Sequence, residues 1–578
     1  MKKCKIGVYI CSCGTNIAKM VDTEALREYI SALPDVAMAR TYKYMCSNPG
    51  QEIIVQDIKE HGLDRIVVAA CSPRMHERTF RRALATAGLN PYLLEMANIR
   101  EQCSWVHDDP VTATVKAKSL TRAAVNRVKY HEPLESMSVD MTASTLVIGG
   151  GIAGMTAALE LADSGHYVYL VEKSDHLGGN LARVDLTAPY LDSARDLIVE
   201  RITRIRTNKQ IEVHLSSKVT EVKGYVGNFT AKIELVNKLD NILHYPDEVK
   251  IGSVVVCTGY KEFDASRITH YGYGKLPNVI TSFEFEKMIQ SGRVETKQGK
   301  TPKYVAIIHC VGSRSQEFHT YCSRVCCMTA LKYAHEIKSA NPECYVSDIY
   351  IDMHAFGKGH EDFYTRTSEV KTLFLMYEKN EKPVIRAAEP DDDCEMLIEV
   401  NERLSGEVIE IPADLVILMV GMEAREDATE VARLVNISTD KEGWFMESHP
   451  KLEPVATTTD GIYIAGTCVA PKDIPDTVAQ ARAAAARILG KISKGKIDVD
   501  AVYAEVDEEL CAACRLCNTL CPYSAIEFIE EDGKGHSHVI SALCKACGTC
   551  VSSCPSSAIK GRHFTDQQIF AEIEGMLA

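Results

Sequence analysis

The sequence predicts an α/β protein in several parts, ending in a smaller α+β domain, and three observations predict it. In the first 142 residues, short apolar strands each run into a Gly, Ser or Pro turn and then a helical pattern. From residue 145, a strand, a glycine-rich turn, a helix, a second strand and an acidic residue follow in the order of a dinucleotide-binding unit. Beyond residue 500, two cysteine runs share the spacing of a bacterial-type two-cluster domain. At 578 residues the chain is too long for one core. The boundaries read as 1–142, 143–495, 500–562 and a terminal helix over 563–578, with 300–413 a second half inside the large domain.

In the N-terminal module, KIGVYICSCGTNI carries a strand into Cys11-Ser12-Cys13-Gly14. Cys46 lies in YKYMCSNPGQ, the strand of DRIVVAACSPRMHE ends on Cys71, and NIREQCSWVH holds Cys103. In an open α/β layer such loops converge at one sheet edge. Scattered thiolates can therefore meet around an iron–sulfur cluster. The expected ligands are Cys13, Cys46, Cys71 and Cys103, with Cys11 the rival first ligand. The alternative is a set of buried, inert thiols. Cys4 reads as a bystander.

STLVIGGGIAGMTAALELADSGHYVYLVEK opens the large domain with Gly149-x-Gly151-x-x-Gly154 and, at the end of the second strand, Glu172-Lys173. The glycines serve a tight turn, close approach to a pyrophosphate and close helix packing, and the acid takes a ribose hydroxyl. KSDHLGGNL adds Gly178, Gly179 and Asn180, placed as in FAD-dependent disulfide reductases. SVVVCTGY, with Thr258-Gly259, resembles the strand-end turn of such chains. TTTDGIYIAGTC, with Ala465-Gly466, resembles the motif that approaches the ribityl chain. The following helix carries Gln480 and Ala481, and FAD is favoured over NAD.

Two features of a thioredoxin-reductase-like domain are missing from its second half. The strand of KYVAIIHCVGSRSQ runs into Cys-Val-Gly-Ser-Arg where a second glycine motif would bind NAD(P)H, and no C-x2-C redox disulfide follows. Instead Cys310, Cys322, Cys326 and Cys327 crowd together, a density that points to an unusual cluster site. Cys257, Cys344, Cys394 and Cys468 read as ordinary thiols.

The C-terminal runs, CAACRLCNTLCP and CKACGTCVSSCP, are each C-x2-C-x2-C-x3-C-P. This is the spacing by which bacterial-type ferredoxins hold two 4Fe–4S clusters, the fourth Cys of each run ligating the other cluster. Cys511, Cys514, Cys517 and Cys554 are assigned to one, and Cys544, Cys547, Cys550 and Cys521 to its partner. A zinc ribbon fits two interleaved four-Cys runs badly.

Composition narrows the class. A net charge of −14 argues against a nucleic-acid binder. The apolar runs are of strand length, so no membrane span is expected, and the N-terminus lacks a signal-peptide cleavage pattern. Twenty-two cysteines without an export signal suggest metal rather than disulfides, in a reducing, anaerobic cytoplasm. The acidic VYAEVDEEL linker and the helix of FTDQQIFAEIEGMLA read as a solvated face, with partner docking the alternative.

The phrases CSCGTNI, VVAACSPRMHE, GLNPYLLEMANIREQCSWVH, HCVGSRS, YCSRVCCM, AFGKGHEDFY and AGTCVAPKDIPDTVAQARAAAA run through nearly the whole chain. On them the sequence resembles the A-type subunits of heterodisulfide reductase. The resemblance implies an FAD-centred, flavin- and iron–sulfur-containing oxidoreductase component and strengthens both extra cluster assignments. It implies flavin-based electron bifurcation with disulfide-reducing subunits of the B/C type, an electron-input subunit (hydrogenase, formate dehydrogenase or similar) and ferredoxin. The assembly expected is a hetero-oligomer, with homodimerisation an option.

The resemblance also puts Lys472 near the flavin ring, as a donor to its N5 edge. Without it, a solvated lysine at a helix start is the simpler reading. One departure stands out. Where the family carries an inserted ferredoxin-like module, ELVNKLDNILHYPDEVKIGSVVV has no cysteine until Cys257. A non-bifurcating relay or docking scaffold is therefore the alternative function.

Overall fold

The computed structural model describes residues 4–236, 247–531 and 533–578. They form two compact units, one of Met1–Ser138 with Asp498–Ala578 and the other of Val139–Ile497. The segment expected to lack the inserted module falls partly on 237–246, outside the described residues.

The first unit begins with a parallel sheet of β1 (Ile6–Cys11), β2 (Val36–Tyr42), β3 (Arg65–Ala70) and β4 (Leu94–Asn98) in the order β2-β1-β3-β4. Helices α1 (Thr23–Ser31), α2 (Asn48–His61), α3 (Pro73–Ala87) and α4 (Pro110–Val128) connect and cover it. The continuous apolar runs of β1 and β3 suit strands buried on both faces. Helix starts are fixed locally. Asp22 and Asp109 accept backbone N–H groups at their N-caps, each worth about 1 kcal/mol, and Pro110 presets the first turn of α4. With this order the chain reverses direction across the sheet between β1 and β3. A crevice therefore opens beyond their C-terminal ends.

The same unit holds the C-terminal domain, built on the hairpin of Ile526–Glu531 with Lys534–Val539, the pair Ala504–Val506 with Ile559–Gly561, and the short helices Leu516–Leu520 and Thr549–Ser553. The terminal helix Asp566–Leu577 starts on a capping box of Thr565 and Gln568. It packs on α4. Gly575 comes so close that an added Cβ would lie 2.5 Å from Ala123 Cα. Arg122 Nε donates to Gly575 O at 2.6 Å, and Arg127 pairs with Glu572 at 3.1 Å. One face of this helix is thus an internal contact, not the solvated face expected, while Ile569, Phe570 and Ile573 remain exposed.

The second unit has two parallel five-stranded sheets. The first runs Ile211–His214, Val168–Val171, Thr145–Ile148, Ser253–Val256, Ile462–Ile464, with helix α5 (Ile152–Asp163) leaving the glycine turn. The second runs Val279–Thr281, Leu415–Val420, Tyr304–Val311, Tyr345–Tyr350, Thr372–Met376. Each sheet is backed by three antiparallel strands. The crossing segments Tyr260–Glu262 and Met422–Ala424 pair antiparallel where the chain passes between the halves. This is a two-dinucleotide-fold architecture. Among the described residues, no helix is long and apolar enough to cross a membrane.

Candidate functional site

The glycine turn has the geometry of a phosphate cradle. Gly149 has φ +107°, and a Cβ there would meet Cys257 O at 2.4 Å; at Gly154 it would meet Gly149 O at 1.8 Å. At Gly151, by contrast, the nearest atom to an added Cβ is 3.9 Å away. Two glycines are therefore demanded by packing and one leaves open space. Gly151 N-caps α5 with no side-chain acceptor on the first-turn N–H groups, which leaves them for an anion. Glu172 closes the turn, accepting from Gly150 N at 2.6 Å and from Ser174 N and Oγ at 2.8 and 2.7 Å. Lys173 turns away and pairs with Asp427 at 3.0 Å.

The remaining flavin-site residues frame the same edge. Gly178 (φ +119°) and Gly179 (φ +54°) bring the second loop against Gly151, and Asn180 Nδ2 donates to Tyr260 O at 3.1 Å, just beyond Thr258-Gly259. Gly466 N donates to Gln480 Oε1 at 2.9 Å, which ties the Ala465-Gly466 turn to the helix Ile474–Ile492. Ala481 is core packing on that helix. Lys472 is half-buried, and its Nζ donates to the carbonyls of Gly466 and Ala470 at 2.8 and 2.9 Å. Burial lowers its pKa. These residues fit FAD, because an open Gly151, uncapped helix N–H groups and an acid at the strand end are what its pyrophosphate and ribose require.

The mid-chain cysteines span the end of the strand Tyr304–Val311, which holds Cys310, the turn after it, which holds Cys322, and the start of the helix Cys326–Ala340, where the first half has its glycines. Cys322 and Cys327 bear electrostatically on Cys310, and all three bear on Cys326. The four are therefore brought together. Burial, then Cys327, pushes the Cys310 thiol up to about 12. Four clustered thiols, of which burial raises Cys310 and Cys326, suit a shared multivalent cation, which deprotonates its ligands. Cys310, Arg314 and Arg324 all have positive φ, at +59°, +54° and +64°. Each such non-glycine residue costs on the order of 1 kcal/mol, and strain of this kind gathers at sites where side-chain direction matters. Arg314 offsets thiolate charge at Cys310 and is itself held by Asp352 at 2.5 Å.

At the N-terminal crevice the structure brings together Cys11, Cys13, Cys46 and Cys71. Cys11 ends β1, Cys71 follows β3, and the groups bearing on each include others of the set. Burial pushes Cys71 up to about 11, against which Arg100 acts. Cys103, expected as the fourth member, is not there. It is fully buried, its thiol donates to Ala113 O at 3.0 Å, and no cysteine bears on it. The short helical turn Arg100–Ser104 points it into the core beside α4. Cys11, the rival, completes the set.

In the C-terminal domain, one cavity is lined by Cys521, Cys544, Cys547 and Cys550 and another by Cys511, Cys514, Cys517 and Cys554, with Ile526, Val539 and Ile559 as apolar walls. Backbone N–H groups already point at sulfur: Ala525 N at Cys521 Sγ, 3.2 Å, and Ala504 N at Cys544 Sγ, 3.4 Å. Positive φ recurs at equivalent places of the two runs, Ala513 and Ala546, Arg515 and Gly548, Ser524 and Ser557. The loops are wound so that sulfur faces inward, which fits two clusters.

A family model described as a 4Fe-4S dicluster domain matches residues 504–560, and one described as an NAD(P)-binding Rossmann-like domain matches 147–197. An A-type iron–sulfur subunit of the CoB–CoM heterodisulfide reductase of Methanopyrus kandleri is 42% identical over 99% of this chain and 98% of its own. The chain belongs to the family of heterodisulfide reductase A-type subunits. The A-type member of the H2:CoB–CoM heterodisulfide,ferredoxin reductase of Methanothermobacter marburgensis is 41% identical over all of this chain and 98% of its own. Among solved structures, thioredoxin reductase of T. acidophilum covers 61% of this chain and 100% of its own at 17% identity and TM-score 0.41. The alignment to the M. kandleri relative runs over 651 positions, more than the 578 residues here, so this chain is a shorter form of the family. It is an FAD/iron–sulfur electron-transfer component of an oxidoreductase.

Sequence reasoning passed over the charged residues that surround these thiols. Arg314 and Arg324 lie in loops and Arg100 opens a short helical turn, positions that composition does not flag. His309 and Asp348 sit on neighbouring strands, where only the pairing brings them together.

Proposed function

We propose that this protein divides electrons from a bound FAD between a disulfide-reducing partner and a low-potential ferredoxin, within a heterodisulfide-reductase-type complex. FAD supplies exchange of electrons in pairs or singly, and each 4Fe–4S centre takes one. The observation that carries the reading is the junction between the flavin pocket and the mid-chain cysteines. Arg324, in the turn between Cys322 and Cys326, pairs at 2.8 Å with Asp476, in the first turn of the helix whose approach carries Lys472. Tyr260, next to the Thr258-Gly259 turn, lies within electrostatic reach of Cys326. A thiolate-lined exit thus takes the place of a nicotinamide site.

In this reading the chain's own residues bind, orient and compensate. Gly151 and the start of α5 receive the pyrophosphate, Glu172 the ribose, and Lys472, anchored on two carbonyls, presents its remaining proton to the flavin edge. Cys310, Cys322, Cys326 and Cys327 hold one centre, Cys11, Cys13, Cys46 and Cys71 another, and the C-terminal eight a further two. Arg314 and Arg100 offset thiolate charge. The partners are disulfide-reducing subunits of the B/C type, a hydrogenase or formate dehydrogenase supplying electrons, and ferredoxin. The relatives' names support this, since they specify H2 or formate, the CoB–CoM heterodisulfide and ferredoxin.

The absence of cysteine between Cys103 and Cys257 favours a second reading, a non-bifurcating relay, because one branch of centres is shorter. Reconstitution with the B/C-type subunits and the electron-input partner separates the two. Bifurcation makes ferredoxin reduction depend on the heterodisulfide being present. Ferredoxin reduction at the same rate without it sinks the first reading and leaves the relay.

A further inference from the structure

A loop over 351–359 leads from the strand Tyr345–Tyr350 to the helix His360–Glu369, and the phrase AFGKGHEDFY runs through the junction of loop and helix. This loop lies against the mid-chain cysteines. Asp352 holds Arg314 at 2.5 Å, and its carbonyl oxygen accepts from the Cys327 thiol at 3.5 Å. The Arg324 guanidinium sits 5.3 Å from the centre of the Phe356 ring. Between these two contacts, half-buried His354 places Nδ1 3.6 Å from the Cys322 sulfur, a length suited to so large an acceptor. The backbone N–H of Arg324 donates to the same sulfur at 3.3 Å. Cys322 thus meets a ring nitrogen from one loop and a backbone donor from its own turn.

We propose that His354 is a positioning residue of the mid-chain centre, donating its Nδ1 hydrogen to the Cys322 sulfur and raising that centre's reduction potential. The inference rests on the reading of Cys310, Cys322, Cys326 and Cys327 as cluster ligands. A ligand sulfur has given up its proton and can only accept, so the hydrogen between the two atoms belongs to the imidazole. A neutral ring suffices. The N–H dipole turns its positive end towards the sulfur, which favours the state carrying one more electron. Contacts at Asp352 on one side and Phe356 on the other fix the loop, and with it the ring, against this one ligand.

The test uses the full chain, purified anaerobically with its iron and FAD, and redox titration followed by electron paramagnetic resonance. Cys322→Ser identifies the mid-chain signal as the one it abolishes. In His354→Leu that signal persists with unchanged iron content. Its midpoint falls by about tenfold in the reduction equilibrium, or about 59 mV for a one-electron couple. The amide nitrogen of an asparagine stands where Nδ1 of a histidine stands, whereas that of a glutamine stands nearer Nε2. His354→Asn therefore recovers most of the loss and His354→Gln less. Should the Leu variant not fold, the two amide variants carry the comparison.

An unchanged midpoint in both His354→Leu and His354→Gln overturns the proposal while leaving the cluster in place. An equal fall in the Leu, Asn and Gln variants also overturns it, since packing and not the N–H then sets the potential. Loss of the same iron in the His354 variants as in Cys322→Ser makes His354 a ligand and overturns it too. If Cys322→Ser removes neither iron nor signal, the cluster reading fails first and the proposal falls with it.

Discussion

Arg324 Nη2 lies 2.8 Å from Asp476 Oδ2, and this one contact ties the mid-chain cysteine turn to the helix that follows Lys472. Because both side chains are partly exposed, the pair contributes little to stability, about 0–1 kcal/mol. Arg324→Ala is therefore expected to leave the melting temperature nearly unchanged while slowing electron equilibration between flavin and the mid-chain centre. Flash photoreduction of the full chain measures that rate.

The glycine turn predicts two different failures. In Gly151→Ala the added methyl has room, so the protein folds and FAD affinity falls. In Gly154→Ala the methyl meets Gly149 O at 1.8 Å, so the backbone must shift and the unit is destabilised by at least about 1–3 kcal/mol. Flavin content beside thermal unfolding distinguishes them; equal stability of the two variants would refute the packing account.

Glu336 gives a pH dependence. Among the described residues its carboxylate oxygens have no hydrogen-bond partner, and burial, set against Lys332 at 3.9 Å, raises its pKa to about 8. With a folded value above the unfolded one, the native state holds the extra proton between roughly pH 4.5 and 8. Stability from this group is full below that window and lost as pH rises through it. Glu336→Gln is expected to stabilise by on the order of 2 kcal/mol above pH 8 and by little near pH 5. Denaturant titrations at the two pH values check the sign.

The terminal helix is expected to be structural on its inner face. Gly575→Val places its Cβ 2.5 Å from Ala123 Cα and should lower the stability of the unit containing α4 by about 1–3 kcal/mol, leaving flavin content intact. Limited proteolysis of the terminal helix reads this directly.

Much of this was legible in the residues. The ferredoxin-type runs and the strand, Gly149-x-Gly151-x-x-Gly154, helix and Glu172 are local signals whose spacing dictates the chemistry. The N-terminal set was legible only in part. Sequence shows that Cys11, Cys13, Cys46 and Cys71 end strands or open turns, but not that the order β2-β1-β3-β4 gathers them, nor that a helical turn rotates Cys103 inward. His309 and Asp348 were beyond reach for the same reason. Strand pairing is non-local, and a histidine in an apolar strand has no pattern of its own.

The electron path through the middle of the chain stands or falls on what the cysteines outside residues 511–554 hold. Iron and FAD content of the anaerobically purified full chain, measured beside Cys322→Ser, decides it. With four 4Fe–4S centres, about 16 iron atoms per FAD are expected, and about 12 in the variant. About 8 in both would confine the clusters to the C-terminal domain and leave the thiolate-lined exit from the flavin without a metal.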